Sequence, residues 1–198
     1  FIIDFSNIYV CGDSSLILKS TNEGLTWSET RLNAGATFFS LYFNNLNTGY
    51  VSGGNGSLYK TTNAGNIWNQ ITTGFGGFFY DIKFANLNTG YIGGNRIILK
   101  TTNSGNNWFD AGAVFSSPFA QTYSIHVQDP ETVYGMIVAE NKFVITTNGG
   151  INWTQYDITI PSTGSSNDIL RKIKFINSQT GYLATDFGRV CKTTNAGV

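Results

Sequence analysis

An eight-residue pattern, Ser/Thr-x-Asn-x-Gly-x-x-Trp, recurs along the chain and constrains its fold more than any other feature. It appears as STNEGLTW from Ser20, TTNAGNIW from Thr61, TTNSGNNW from Thr101 and TTNGGINW from Thr146, and a shorter copy, TTNAGV, begins at Thr193. The four tryptophans that end the complete copies lie 41, 40 and 45 residues apart. Self-similarity at a fixed period of this length is typical of proteins built from one repeated supersecondary unit. We therefore predict five similar units in this chain.

Each unit has the pattern of four short β-strands, which we call A to D in chain order. Apolar residues alternate in the first segment, as at Leu41 and Phe43 or at Ile82 and Phe84, which indicates a strand with one buried face. A turn such as NNLNTG, a strand B such as GYVSG, a Gly/Asn turn and a strand C such as SLYK follow, and the octapeptide then leads into strand D. Four strands in about 40 residues are typical of a β-propeller blade.

The predicted fold is therefore all-β, a single β-propeller domain over 1–198 with four-stranded antiparallel blades. The blades are predicted at about 1–35, 36–76, 77–117, 118–163 and 164–198, and the last lacks its outer strand. The chain begins without an initiator Met or a recognisable signal peptide and stops inside its fifth octapeptide. We interpret it as part of a larger ring, and a closed five-bladed ring is the alternative.

The composition limits the classes of partner. Twelve basic and twelve acidic residues balance, so no net charge draws the chain toward nucleic acid or anionic lipid. No apolar run approaches the length of about 20 residues that a membrane helix needs, so no membrane insertion is predicted. Charged residues make up only 12% of the chain, and Gly, Asn, Thr and Ser take their place. This composition suits an extracellular surface, and we predict a secreted, cell-surface or periplasmic protein.

The octapeptide is interpreted as a folding device that is repeated once per blade. The Asn side chain can accept hydrogen bonds from its own turn, Gly supplies a positive φ, the Ser or Thr hydroxyl can fix the Asn, and Trp fills space between sheets. Calcium binding by these neutral amides is disfavoured without flanking carboxylates, and no metal or cofactor is predicted. The structural residues of the five copies are Ser20, Asn22, Gly24, Trp27, Thr61, Asn63, Gly65, Trp68, Thr101, Asn103, Gly105, Trp108, Thr146, Asn148, Gly150, Trp153, Thr193, Asn195 and Gly197.

These octapeptides resemble the Asp-box, or BNR repeat, of sialidases, some xyloglucanases, sortilin-type receptors and photosystem II assembly-factor propellers. Asn stands where the family usually has Asp, and the longer pattern around the boxes most resembles the assembly-factor group and the Asn/Thr-rich versions in secreted bacterial sialidase-like proteins. The resemblance implies that each box lies on the C–D turn, away from the face that carries active sites. It implies little about function, because the family includes enzymes and non-enzymes.

The candidate site is the face formed by the D–A and B–C loops, where propellers generally bind ligands. Loops also collect charges because they are exposed, and aromatic residues can wedge between blades, so a purely structural role is the alternative for each residue. We interpret Phe39, Tyr80 and Tyr123, which align with Phe1 at the start of strand A, as packing residues. The candidate ligand-binding residues are Arg31, Phe75, Phe78, Arg96, Phe115, Phe119, Arg171, Asp186 and Arg189.

Three functions remain open at this point. The first is a non-catalytic scaffold that binds a protein, a peptide or a glycan on this face. The second is a fragment of a sialidase-like or other glycoside hydrolase, which would need two catalytic carboxyl groups. Asp81 paired with either Asp168 or Asp186 is a candidate only because these residues are acidic and lie on the right face. The third is an assembly factor that captures a peptide of its partner. The arginine motif that opens sialidase domains is absent, which favours a non-enzyme.

Three further features have simple interpretations. Lys19, Lys60, Lys100 and Lys192 precede the boxes and form either a basic ring or a repeated packing contact through their aliphatic stems. His126, the single histidine, is interpreted as an ordinary strand residue. Cys11 and Cys191 are predicted to be buried thiols, although a closed five-bladed ring would allow a bridge between them.

Overall fold

The computed structural model describes residues 1–158 and 169–197, and all regular elements within them are β-strands. The strands form five antiparallel sheets, in each of which consecutive strands are neighbours. The predicted all-β propeller fold is therefore confirmed. The strands are Ile8–Cys11 (β1), Leu16–Ser20 (β2), Ser28–Arg31 (β3), Phe38–Phe43 (β4), Gly49–Gly53 (β5), Leu58–Thr61 (β6), Asn69–Gln70 (β7), Phe79–Phe84 (β8), Gly90–Gly94 (β9), Ile97–Thr101 (β10), Phe109–Asp110 (β11), Gln121–Val127 (β12), Val133–Val138 (β13), Lys142–Thr146 (β14), Thr154–Asp157 (β15), Leu170–Phe175 (β16), Gly181–Thr185 (β17) and Val190–Thr193 (β18).

Three blades contain four strands and two contain three. Blades 2, 3 and 4 are β4–β7, β8–β11 and β12–β15, whereas blade 1 is β1–β3 and blade 5 is β16–β18. Strand A of each blade packs against strand A of the next, so β4, β8, β12 and β16 are the innermost strands and surround the propeller axis. Four hydrophobic clusters fill the spaces between neighbouring blades.

The prediction of four strands in blade 1 is wrong. Its strand A is reduced to a single bridge between Ile2 and Ile8, and Asp4 then turns the chain. The Asp4 carboxylate accepts hydrogen bonds from the backbone N–H groups of Ser6 and Asn7 at 2.9 and 2.7 Å. Asn45 makes the same turn after β4 in blade 2. Phe1 therefore corresponds to Tyr42, near the end of strand A, and its predicted alignment with Phe39 is also wrong.

Each octapeptide closes its turn with the same short hydrogen bonds. In blade 3 the Thr101 hydroxyl donates to Asn103 Oδ1 at 3.0 Å and accepts from the backbone N–H of Gly105 at 3.0 Å. Asn103 Oδ1 also accepts from the backbone N–H of Asn107 at 2.9 Å. The hydroxyl–amide contact occurs in all five copies. Ser104 and Gly105 both have positive φ, at 57° and 71°, so the turn places two successive residues in the left-handed region.

A tyrosine and a lysine from each of the first three blades connect that blade to the next one. The Tyr50 hydroxyl on β5 donates to the Ser104 carbonyl of blade 3 at 2.8 Å, and the Lys60 ammonium donates to the same carbonyl at 2.6 Å while lying over the Tyr50 ring. Tyr9 and Lys19 of blade 1 share the Ala64 carbonyl in the same way, whereas in blade 3 Tyr91 donates to the Pro130 carbonyl and Lys100 to the Gly149 carbonyl. The lysines before the boxes therefore have a structural role where a following blade is present, and we call this arrangement the inter-blade clamp.

The outward sides of blades 1 and 5 lack these contacts within the described part of the chain. Trp27 in the first box is 42% exposed, whereas Trp68 and Trp108 are buried. Tyr182, the blade 5 counterpart of Tyr50, is 38% exposed. Position in the stack therefore decides whether these repeated residues are buried.

The two cysteines are free and lie between different pairs of blades. Cys11 packs against the cluster between blades 1 and 2, where burial raises the pKa of its thiol to about 11. Cys191 packs against the cluster between blades 4 and 5. The bridge that a closed five-bladed ring would allow is not formed.

Candidate binding site on the propeller axis

A one-residue bulge interrupts strand A in blades 2 to 5, always near the start of the strand. The register shifts occur between Phe38 and Ser40 in blade 2 and at the same place in the other three blades. A bulge leaves one residue unpaired and re-aims its side chain. The four bulged residues line one cavity of about 280 Å³, and we call them the axial row: Phe39, Tyr80, Tyr123 and Arg171.

The side chains of the axial row contact one another across blade boundaries. The ring centroids of Phe39 and Tyr80 are 5.4 Å apart, and those of Tyr80 and Tyr123 are 4.5 Å apart with an edge-to-face geometry. The guanidinium of Arg171 lies 5.5 Å from the centre of the Tyr123 ring. Phe78 extends the row, because its ring stacks on Tyr80 at 5.9 Å. Phe39 and Phe78 are 40% and 42% exposed, so these apolar faces are accessible to a ligand.

The residues that follow the bulges form a second row, the polar row, beneath the first. They are Ser40, Asp81, Ser124 and Lys172. Asp81 is 2% exposed and lies at the centre of this row. Its carboxylate accepts hydrogen bonds from the Ser40 hydroxyl at 3.1 Å, the Ser124 hydroxyl at 3.3 Å and the backbone N–H of Ile125 at 3.2 Å. One carboxylate therefore connects blades 2, 3 and 4.

Two lysines neutralise the charge of Asp81. Lys83 on the same strand contacts Oδ1, and Lys172 from blade 5 lies 2.9 Å from Oδ2. Burial alone would raise the pKa of Asp81, but the positive charges of Lys83 and Lys172 lower it below its ordinary value of 3.8. Asp81 is therefore ionised at neutral pH. A general acid for glycoside hydrolysis needs a raised pKa, so Asp81 does not fit that role.

Asp186, the other described carboxylate considered for catalysis, is also engaged by a basic side chain. Asp186 pairs with Arg171, with Arg171 Nη2 2.8 Å from Oδ2, and this hydrogen bond lowers the pKa of Asp186. Asp168 lies outside the described residues. Among the residues that the structure describes, no group of three or more His, Cys, Asp and Glu side chains could hold a metal ion.

The structure brings three of the nine predicted site residues to the axis: Phe78, Arg171 and Asp186. Phe75 and Phe115 are half-buried against the clusters between blades. Phe119 is 76% exposed but lies outside the axial row. The three other arginines do not join the row.

Those arginines lie elsewhere on the loops. Arg31 pairs with Glu29 at 2.6 Å and lines a separate depression in blade 1. Arg96 is an exposed turn residue with a φ of 52°. Arg189 is half-buried beside β18, and its carbonyl accepts a hydrogen bond from the backbone N–H of Thr185.

The sequence-based interpretation assigned Phe39, Tyr80 and Tyr123 to packing and did not include them in the candidate site. Their rings do contact one another across the blades, and they also line the axial cavity. A large side chain followed by Ser, Asp or Lys recurs at this place in four units and was the available signal. That signal is informative only when the bulge is known, because the bulge changes the direction in which each side chain points.

Comparison with known proteins identifies the family. Residues 61–198 match the model of the photosynthesis system II assembly factor YCF48 family. The chain belongs to this family. No curated protein matches the chain.

Solved structures similar to this chain include members of the YCF48 family and glycoside hydrolases. A structure of YCF48 bound to D1 peptide is 15% identical, with 98% of this chain and 91% of that chain covered and a TM-score of 0.51. YCF48 from Cyanidioschyzon merolae is also 15% identical, with 96% and 80% covered and a TM-score of 0.54. The GH74 xyloglucanase from Xanthomonas campestris is 12% identical with a TM-score of 0.79, and 98% of this chain covers 35% of that enzyme. At these identities the likeness shows the propeller fold alone.

No helix in the described ranges has the length and apolar character needed to cross a membrane.

Proposed function

We propose that this protein is a non-catalytic scaffold that binds a peptide segment of a partner protein along the axial row. The observation that carries the proposal is the continuous, accessible line of Phe39, Tyr80 and Tyr123 across three blades, which ends at the guanidinium of Arg171. Rigid aromatic anchors beside a few polar groups are typical of peptide-binding surfaces. Membership of the YCF48 family supports this function, because one YCF48 structure contains a bound D1 peptide.

Carbohydrate is the competing ligand, since aromatic faces also stack on sugar rings. The enzyme alternative has weaker support, because Asp81 and Asp186 are both engaged in ion pairs with basic side chains. A secreted, cell-surface or periplasmic location stays a prediction from the composition.

The test is to select a 12-residue peptide from a displayed random library and to measure its affinity by calorimetry. We expect Phe39→Ser and Tyr80→Ser each to weaken binding about fivefold or more, because truncating a central aromatic anchor commonly costs at least about 1 kcal/mol. Phe119→Ser is the matched control, since Phe119 is exposed but lies outside the row. The proposal is wrong if Phe119→Ser abolishes binding while both row variants bind normally. Preferential binding of xyloglucan oligosaccharides over every selected peptide would favour the carbohydrate alternative.

A further inference from the structure

Basic side chains outnumber acidic ones around the axis below the axial row. Lys83 and Lys172 both contact Asp81, so one of their two positive charges is left uncompensated by that carboxylate. Lys174 adds a further positive charge near the axis. It occupies the same strand position in blade 5 as Lys83 does in blade 3 and His126 in blade 4. Arg171 does not change this balance because Asp186 neutralises it.

The pKa of His126 is lowered in this positively charged region. Burial and the positive charges of Lys174, Lys83 and Lys172 lower the pKa of His126 from its ordinary value of 6.5. These lysines approach from β8 and β16, and the other neighbours of the imidazole are the Tyr134 and Phe175 rings. Three lysines on two separate strands therefore act on the same region of the axis.

A cavity of about 410 Å³ joins this basic region to the aromatic surface above it. Phe39, Tyr80 and Tyr123 line it together with Asp81, Lys83 and Lys172. The Lys172 side chain is 56% exposed, although its ammonium contacts Asp81. An ammonium group has three N–H donors, and this contact uses one of them. Lys172 can thus donate to a ligand without releasing Asp81.

We propose that this cavity is an anion subsite that takes a carboxylate of the peptide bound on the axial row, with Lys172 as the direct donor and Lys83 and Lys174 contributing charge. The inference rests on the proposed function, because the peptide must cross the aromatic row to place its carboxylate here. The carboxylate is supplied by a Glu or Asp side chain or by the end of the peptide chain, and the experiment separates these two sources.

The test compares three short peptides with the intact chain: acetyl-Tyr-Glu-Tyr-amide, acetyl-Tyr-Gln-Tyr-amide and acetyl-Tyr-Gln-Tyr with a free C-terminal carboxylate. We expect one or both carboxylate peptides to bind about tenfold more tightly than the neutral peptide, as a charge-assisted hydrogen bond predicts. If only the Glu peptide binds more tightly than the neutral peptide, the cavity takes a side-chain carboxylate. If only the peptide with the free C-terminus does so, the cavity takes a chain terminus. The advantage should decrease as salt is added.

The single histidine provides a second readout by NMR. A carboxylate in the cavity should raise the pKa of His126, whereas the neutral peptide should leave it unchanged. By linkage, the affinity of the carboxylate peptide should therefore increase as the pH falls through the titration of His126.

Lys172→Met should remove the carboxylate advantage and leave the affinity of the neutral peptide intact. Lys192→Met is the control because Lys192 is an exposed blade 5 lysine that does not line the cavity. Lys174→Met should reduce the advantage partially, and it keeps the test valid if Lys172→Met folds poorly. Equal affinities for all three peptides in the wild type would overturn the anion subsite alone. Failure of all three to bind, while the selected 12-residue peptide still binds, would overturn the anion subsite and leave the proposed function standing.

Discussion

The Ser or Thr that opens each octapeptide organises its turn through one hydroxyl. Thr101 is fully buried, and its Oγ1 contacts both Asn103 and the backbone N–H of Gly105. These partners lie within four residues in the sequence, so they could be predicted from the sequence. The positive φ of the residue before Gly could not be predicted from the sequence. Glu23, Ala64 and Ser104 all adopt it, although they share no residue type.

We expect Thr101→Val to lower the free energy of unfolding by about 1–3 kcal/mol, because the shape is kept while buried N–H groups lose their acceptor. Urea denaturation followed by tryptophan fluorescence measures the change. Thr102→Val is the matched control, since Thr102 is exposed in the same box and should alter stability by less than about 0.5 kcal/mol. Equal effects of the two substitutions would show that the hydroxyl network does not stabilise the turn.

The strands illustrate which features of an element a sequence reveals. Alternating apolar residues predicted β4, β8, β12 and β16 because one face of each strand is buried. The bulges in these strands could not be predicted, since a bulge depends on two residues facing one residue of the neighbouring strand. Because side chains alternate with a period of two, one extra residue redirects the side chains around it. The sequence therefore did not predict that Phe39, Tyr80 and Tyr123 line the axial cavity.

At the contact between blades, we expect Tyr50→Phe to lower the free energy of unfolding by about 1 kcal/mol, because the hydrogen bond to the Ser104 carbonyl is lost while Lys60 still donates to that carbonyl. Tyr182→Phe is a control at the same repeat position, where the ring is half-exposed on the outward side of blade 5. Thermal unfolding of both variants distinguishes the two sites. A loss as large in Tyr182→Phe would mean that the clamp is not the source of the stabilisation.

For the molecule as a whole, Asp81 is the residue on which most blades converge. Its carboxylate binds groups from blades 2, 3, 4 and 5, whose segments are far apart in the sequence. The sequence showed only an acidic residue near the start of a strand, because it contains no information on which distant side chains meet there. The repeat therefore predicts the architecture, whereas the axial site depends on how the blades are arranged around the axis.

We expect Asp81→Asn to lower the free energy of unfolding by on the order of 3 kcal/mol, because Lys83 loses its buried partner. Asp186→Asn should cost less than about 1 kcal/mol, since the Arg171–Asp186 pair is partly exposed. Chemical denaturation at neutral pH compares the two variants. Similar losses would mean that Asp81 has no special role at the axis.

A comparison of the wild type with Asp81→Asn also tests how the stability depends on pH. The pKa of Asp81 is lower in the folded state than its ordinary value of 3.8, so its contribution is present above that value and decreases as the pH falls below it. We therefore expect the difference in stability between the wild type and Asp81→Asn to shrink below about pH 3.8. A difference that stays constant down to pH 2 would contradict the ionised, lysine-paired state.

The inter-blade clamp has a direction, because Tyr and Lys always come from one blade and the accepting carbonyl from the blade that follows. Blades 1 to 3 therefore each present a donor side, and the boxes of blades 2 to 4 present the accepting carbonyls of Ala64, Ser104 and Gly149. Blade 4 differs, because Ile145 stands at its lysine position. Duplication of one internal segment of about 40 residues would create a single new junction, between two identical copies, at which a donor side again meets an acceptor side. A chain of this kind can thus change in length by whole blades while the contacts within the other blades stay the same.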